Sequence, residues 1–162
     1  MIIKKIIIIV IFLITILLFQ NSFTLANVNE SDYVEKGSAF LQKAISNENP
    51  ELNSIYLNKA KYFYYVASKN IPPSSEALIG LGRVYMLQDK QTEAKNTLFM
   101  AYSTDTYNAN ASFYLAEYFY QYDEFIDALK YYENAQKLGF EDTFKNTEMI
   151  KKCKSKLGIE QE

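Results

Sequence analysis

SEALIGLGRVYMLQDKQTEAKNTLFMAYSTDTYN, residues 75–108, decides how this chain folds, because residues 109–141, ANASFYLAEYFYQYDEFIDALKYYENAQKLGFE, restate its pattern 34 positions later. Under that shift Ala77 falls on Ala111, Leu81 on Leu115, Ala94 on Ala128 and Ala101 on Ala135. Similar types also coincide: Gly82 with Ala116, Tyr85 with Phe119, and Leu98 with Tyr132. A backward shift of the same size sets Ala60, Tyr64 and Ala67 beneath Ala94, Leu98 and Ala101. Recurrence of side-chain size at a fixed period is the signature of a repeat architecture.

Each repeat reads as two helices. Leu78, Leu81, Gly82 and Tyr85 stand at i, i+3, i+4 and i+7, a single helical stripe. Ala94, Leu98 and Ala101 form a second stripe at i, i+4 and i+7. The polar gap at Gln88-Asp89-Lys90 is short, so the two helices fold back antiparallel. Small residues at Gly82 and Ala94 let the backbones approach where the pair crosses, and Tyr85 and Leu98 fill the space beside the crossing. One hairpin alone leaves an apolar face bare, and the next hairpin covers it. Few breakers, with five Gly and three Pro in 162 residues, agree with an all-helical chain.

At these positions the chain resembles the tetratricopeptide repeat (TPR) family. Leu81-Gly82 and Leu115-Ala116 resemble its Leu-Gly pair in the first helix, followed by the aromatics Tyr85 and Phe119. Ala94 and Ala128 resemble its small residue opening the second helix, and Leu98-Ala101 and Tyr132-Ala135 its later large-small pair. The segment DEFIDALKYYENAQK, residues 123–137, is the closest match. Departures are the lack of Trp, Asp89 and Asp123 in place of the usual turn Gly, and Thr106 and Phe140 in place of the closing Pro. The resemblance implies an all-α fold, a short superhelix of helical hairpins, with repeats over about 31–74, 75–108 and 109–141. The first repeat is degenerate: 23 residues separate Gly37 from Ala60, against 12 between Gly82 and Ala94, which calls for a longer helix or loop around residues 47–50. A last helix over about 142–157, apolar at Phe144, Ile150, Cys153 and Leu157 and lysine-rich outside, suits a solubilising cap, making seven helices.

The same resemblance implies a concave groove, lined by the first helices, that binds a protein or peptide. Carried over position by position, its candidates are Leu41, Ile79, Arg83, Met86, Phe113, Glu117 and Tyr120, beside Val34, Ser38, Gln42, Leu87 and Gln121. The structural repeat positions are Gly82, Ala94, Ala101, Ala116, Ala128 and Ala135. Two blander readings stay open: several groove residues pack on neighbouring helices, and Arg83 and Glu117 form an internal ion pair. Val34 and Ser38 stand where the carboxylate-clamp TPR subclass has Lys and Asn, so chaperone-tail binding is disfavoured. Tyr114, Tyr118, Tyr120 and Tyr122 cannot all face one way on a helix, and the spacing expects Tyr118 or Tyr122 near an exposed edge. Cys153 is read as a buried small hydrophobe, not a lysine-activated thiol.

Chemistry is restricted by what the sequence lacks. Without histidine there is no His-based triad, dyad or HExxH metal motif, and the single Cys153 leaves no disulfide or thiolate zinc site. No glycine-rich phosphate loop occurs; Gly80 and Gly82 are followed by Tyr85 where a third glycine would be needed. The expectation is a binding protein, not an enzyme, with no cofactor and no metal.

Residues 1–26 are read apart from the fold, which then occupies residues 27–162. Lys4 and Lys5 precede an uncharged run of fourteen residues, 6–19, mostly of branched apolar type, and Thr24-Leu25-Ala26 offers small residues where a signal peptidase looks. Fourteen residues of helix cover only about 21 Å, short of a bilayer core. Export with cleavage after Ala26 is the expectation, placing the protein in the periplasm, outside the cell or at its surface. An uncleaved anchor holding a structural assembly subunit is the alternative. Cleavage removes two lysines and no acid, so the net charge becomes (17 − 2) − 19 = −4, which together with the lack of a basic cluster argues against nucleic acid. The lysines at 151, 152, 154 and 156 read as the wet face of the last helix.

Overall fold

Several helices here start or stop on local signals that recur with the repeat. In a computed structural model, which describes residues 29–159, the helices are α1 (Glu30–Ser46), α2 (Pro50–Ala67), α3 (Ser75–Leu87), α4 (Gln91–Thr104), α5 (Ala109–Gln121), α6 (Phe125–Lys137) and α7 (Thr143–Lys156). No strand occurs among the described residues. The signal segment over residues 1–26 lies outside them. Ser74, Asn108 and Asp142, spaced by 34, each cap a helix: their side-chain oxygens accept from the backbone N–H of Ala77, Ala111 and Lys145. A cap of this kind is worth ~1 kcal/mol because it satisfies a donor that has no partner inside the helix. Asn49 does the same for α2, with Pro50 at the first helical position.

The hairpin turns repeat as well. Asp89 and Asp123 take φ of 53° and 60°, the left-handed conformation that ends a helix. The N–H of Lys90 donates to Tyr85 O and that of Glu124 to Phe119 O, both at 2.9 Å, satisfying carbonyls left over at the ends of α3 and α5. The turn glycine that the family pattern calls for is thus replaced by an aspartate in the glycine conformation. This costs something, because an L side chain is strained there.

Three antiparallel hairpins, α1–α2, α3–α4 and α5–α6, stack in order, and α7 packs on α6. Along the stack α3 touches α1 and α5 touches α3, while α2, α4 and α6 each reach the first helix of the following unit. The first helices are therefore the inner row and the second helices the outer row. The surplus in the first repeat is helix: α1 has 17 residues and α2 has 18, joined by three residues, 47–49.

Size matching at the crossings holds the stack together. Ala60, Ala94 and Ala128 are fully buried, as are Ala67, Ala101 and Ala135. A Cβ added to Gly82 would sit 2.6 Å from Leu98 Cγ, closer than atoms pack. In the first repeat Tyr64 takes the place of Leu98, and its ring wedges between Gly37 and Gly80, whose added Cβ atoms would come within 2.9 and 2.2 Å of it. Phe140, standing at the usual proline position, is buried and stacks on Phe113 with ring centroids 4.0 Å apart. The apolar face expected of the last helix needs one correction. Ile150 and Cys153 face inward, but Phe144 is 81% exposed and its neighbour Asn146 is buried instead, donating to Tyr132 O at 3.0 Å. The reason is register: Asn146 lies 34 residues after the buried Ser112, so α7 occupies the place of a fourth first helix.

Candidate binding groove

The inner row of first helices leaves a cleft of about 220 Å³ between α1, α3, α5 and α7. Ile45 and Leu87 form its apolar rim, Met86 and Tyr114 its floor, and Arg83, Glu117, Gln121 and Lys145 its polar groups. Of the residues carried over from the family pattern, Arg83, Met86, Leu87, Glu117 and Gln121 line this cleft. Leu41, Ile79 and Phe113 do not, which corrects the expectation that they line the groove and agrees with the blander reading that several candidates pack on neighbouring helices. All three are buried: Leu41 packs with Tyr64 and Val84, Ile79 with Ala111, and Phe113 beneath Phe140. Tyr120 is half-buried with its ring 5.5 Å from Phe125 at the start of α6, outside the cleft. A first helix in a stack touches its own partner, the preceding unit and the following one, so only a narrow strip of it stays open.

The charges in the cleft are arranged differently from the simplest pairing. Arg83 and Glu117 form no ion pair. The guanidinium of Arg83, the one arginine in the sequence, lies 4.3 Å from the centroid of the Tyr114 ring, a cation–π contact. Glu117 instead accepts the Tyr132 hydroxyl at 2.7 Å on Oε1 and faces Lys145 Nζ at 3.6 Å on Oε2. Its charge is thereby engaged, whereas Arg83 makes no ion pair among the described residues. Burial, and then the Glu117 carboxylate, push the Tyr132 hydroxyl well above the usual phenol range, so it remains a donor. The same two causes push the Cys153 thiol up to about 11. It is fully buried and protonated at neutral pH, a packing residue without nucleophilic character.

Sequence reading missed Ile45, Tyr114 and Lys145. Tyr114 was legible in principle, since it falls 34 residues after Gly80, where the first repeats place a ring from the outer row instead. Lys145 would have been found by extending the register into α7. Of the two tyrosines of which one was expected near an exposed edge, Tyr118 is buried, and its ring packs on Phe119 and Tyr122. Tyr122 is half-buried and donates to Asp89 Oδ1 at 3.3 Å. Among the described residues no group of three or more Cys, Asp or Glu is placed to hold a metal ion.

No family model matches the sequence, and no curated protein matches it either. Among solved structures the chain is similar to a thermophilic TPR protein of Thermus thermophilus, with a TM-score of 0.64 over 85% of this chain and 76% of that one. Identity is 20%, so the likeness establishes a TPR-like fold and no activity.

Proposed function

From the TPR-like fold as a premise, we propose that this protein is a non-enzymatic adaptor that holds a peptide segment of another protein in its inner groove. One observation carries the reading: an arginine stacked on Tyr114, in no ion pair among the described residues, beside the flexible apolar floor of Met86. Arginine, aromatic rings and methionine are the side chains that concentrate binding energy in pockets. The carboxylate of the cleft that could have cancelled that charge is engaged elsewhere, through the Glu117–Tyr132 hydrogen bond and the Glu117–Lys145 pair.

Export across the cytoplasmic membrane is part of the proposal and rests on the sequence of residues 1–26. Intact-mass measurement on the natively expressed protein tests it: loss of those residues supports export with cleavage, and their retention supports the anchored alternative. The groove is tested by photo-crosslinkers placed at Met86 and Gln121, with Asn96 on the outer row as control. Capture from the first two sites, lost on Arg83→Glu, is the expected result. Equal capture from Asn96 counts against the groove.

A further inference from the structure

The outer face of α2 departs from its counterparts in a way the fold does not require. Leu52, Ile55, Lys59, Tyr62 and Tyr65 follow one another at helical spacing of three and four, Lys69 continues the spacing in the turn after α2, and Leu52, Ile55, Tyr62 and Tyr65 are 39, 49, 59 and 48% exposed. The opposite face of α2 is already committed to the core through Ala60, Tyr64 and Ala67. A helix apolar on both sides is normally covered on both.

The repeats supply their own control. At the positions equivalent to Lys59, α4 and α6 carry Glu93 and Asp127, and at those equivalent to Tyr62 they carry Asn96 and Lys130. The stack therefore folds with acidic and polar side chains there. Leu52 and Ile55 lie on the extra length of α2, which has 18 residues against 14 and 13 in α4 and α6. No acid occurs between Glu51 and Glu76, although the chain as a whole is acidic. Lysines flank the rings: Lys59 Nζ lies 5.1 Å from the Phe40 centroid and Lys69 Nζ 4.3 Å from that of Tyr65. Two open clefts, of about 510 and 370 Å³, meet at Tyr62 along this strip.

We propose that this lysine- and tyrosine-bearing stripe of α2 lies on the surface of an anionic lipid bilayer. Tyrosine and lysine over a line of aliphatic side chains is the composition of a helix at the headgroup boundary, where rings and methylenes enter the interface and ammonium groups meet lipid phosphates. A second copy fits less well, because two such faces would set lysine against lysine. Tethering points the same way. In the anchored alternative, where residues 1–26 are retained, ten residues, 20–29, separate the apolar run at 6–19 from α1, so the first hairpin stays within about 35 Å of that run. The inference is independent of the inner groove, which opens on the other row of helices.

The test uses the full chain, reconstituted in vesicles of phosphatidylcholine alone or mixed with phosphatidylglycerol. A fluorophore is attached through Ile55→Cys or, as control, Asn96→Cys, since the native Cys153 is buried and does not compete. In anionic vesicles the label at position 55 is expected to become inaccessible to an aqueous quencher, while the label at 96 stays accessible. Lys59→Glu and Lys69→Glu should restore access, each lowering the ratio of bilayer-bound to free label by at least about fivefold, since each removes one cation and adds an anion. Lys59→Glu installs the residue that α4 already carries, so the fold is kept. Continued access at position 55 in anionic vesicles, or equal protection in neutral ones, overturns the proposal. So does protection without lipid that grows with protein concentration, which assigns the stripe to a second copy. Protection by poly-glutamate in place of vesicles overturns it too, assigning the stripe to an acidic protein segment.

Discussion

Gly80→Ala should destabilise the protein, and should do so only while Tyr64 is present. In an ordinary helix this exchange is favourable by ~1 kcal/mol, because alanine loses less backbone freedom than glycine. Here the new methyl would come 2.2 Å from Tyr64 Cε1 and 2.3 Å from Cζ. That is more than 1 Å inside the ~3.5 Å at which carbon atoms pack. The ring cannot swing away, because it is buried and also packs against Gly37, where an added Cβ would come within 2.9 Å of it. Overpacking of this sort costs typically 1–3 kcal/mol, and a rigid, doubly bounded ring belongs at the upper end. The net effect is a loss of about 2 kcal/mol, or roughly 1 M in urea midpoint at a slope of ~2 kcal/mol/M. Tyr64→Ala alone is expected to cost about 3–5 kcal/mol through the cavity it leaves. With the ring gone, Gly80→Ala recovers its helix advantage and stabilises by ~1 kcal/mol. The coupling between the two sites is then about 3 kcal/mol, well above the ~0.5 kcal/mol within which independent sites add. Urea unfolding of the four proteins, followed by far-UV circular dichroism, measures it. An equal loss in both backgrounds, or a gain in the parent, would show that the Tyr64 ring is not what requires a glycine at this position.

Three further outcomes follow from the same geometry. Asp123→Gly relieves a left-handed aspartate at φ 60° and should raise stability by ~0.5–1 kcal/mol, read as a higher urea midpoint. Asn108→Ala removes a cap and the bonds from its Nδ2 to Ser75 Oγ and Glu76 Oε1, and should cost ~1–2 kcal/mol in the same assay, with Asp142→Ala costing less. Stability should fall as pH rises above about 10, because unfolded tyrosines ionise there while burial raises Tyr132 well beyond it in the fold and raises Tyr64 as well. The sign is that of a raised folded-state pKa: the contribution is complete below the unfolded value and is lost progressively above it. Tyr132→Phe should flatten the decline in alkaline urea melts, and an unchanged slope would exclude that hydroxyl as a main source.

How much was legible in advance depended on whether a residue's fate is set within one hairpin or between several. The 34-residue period, the two helices per repeat and the small residues at their crossings were readable from spacing, and Ala94, Ala101, Ala128 and Ala135 are all fully buried. A crossing inside a hairpin joins neighbours along the chain, so the local pattern carries the answer. The capping period at Ser74, Asn108 and Asp142 was present in the same way and extends the register into α7. The accessible part of the groove was not readable. Leu41, Ile79 and Phe113 sit on the correct helices, but contacts with two or three other helices bury them, and no stripe on a single helix records how many neighbours it has. The partner of Glu117 was hidden for the same reason, since Lys145 arrives from α7 and Tyr132 from the outer row. Amino-acid order alone thus determined the repeat and its packing seams, through side-chain size at fixed intervals. Only the stacked structure decided which charges remain free and which rings face water, because those depend on distances between helices far apart in the chain.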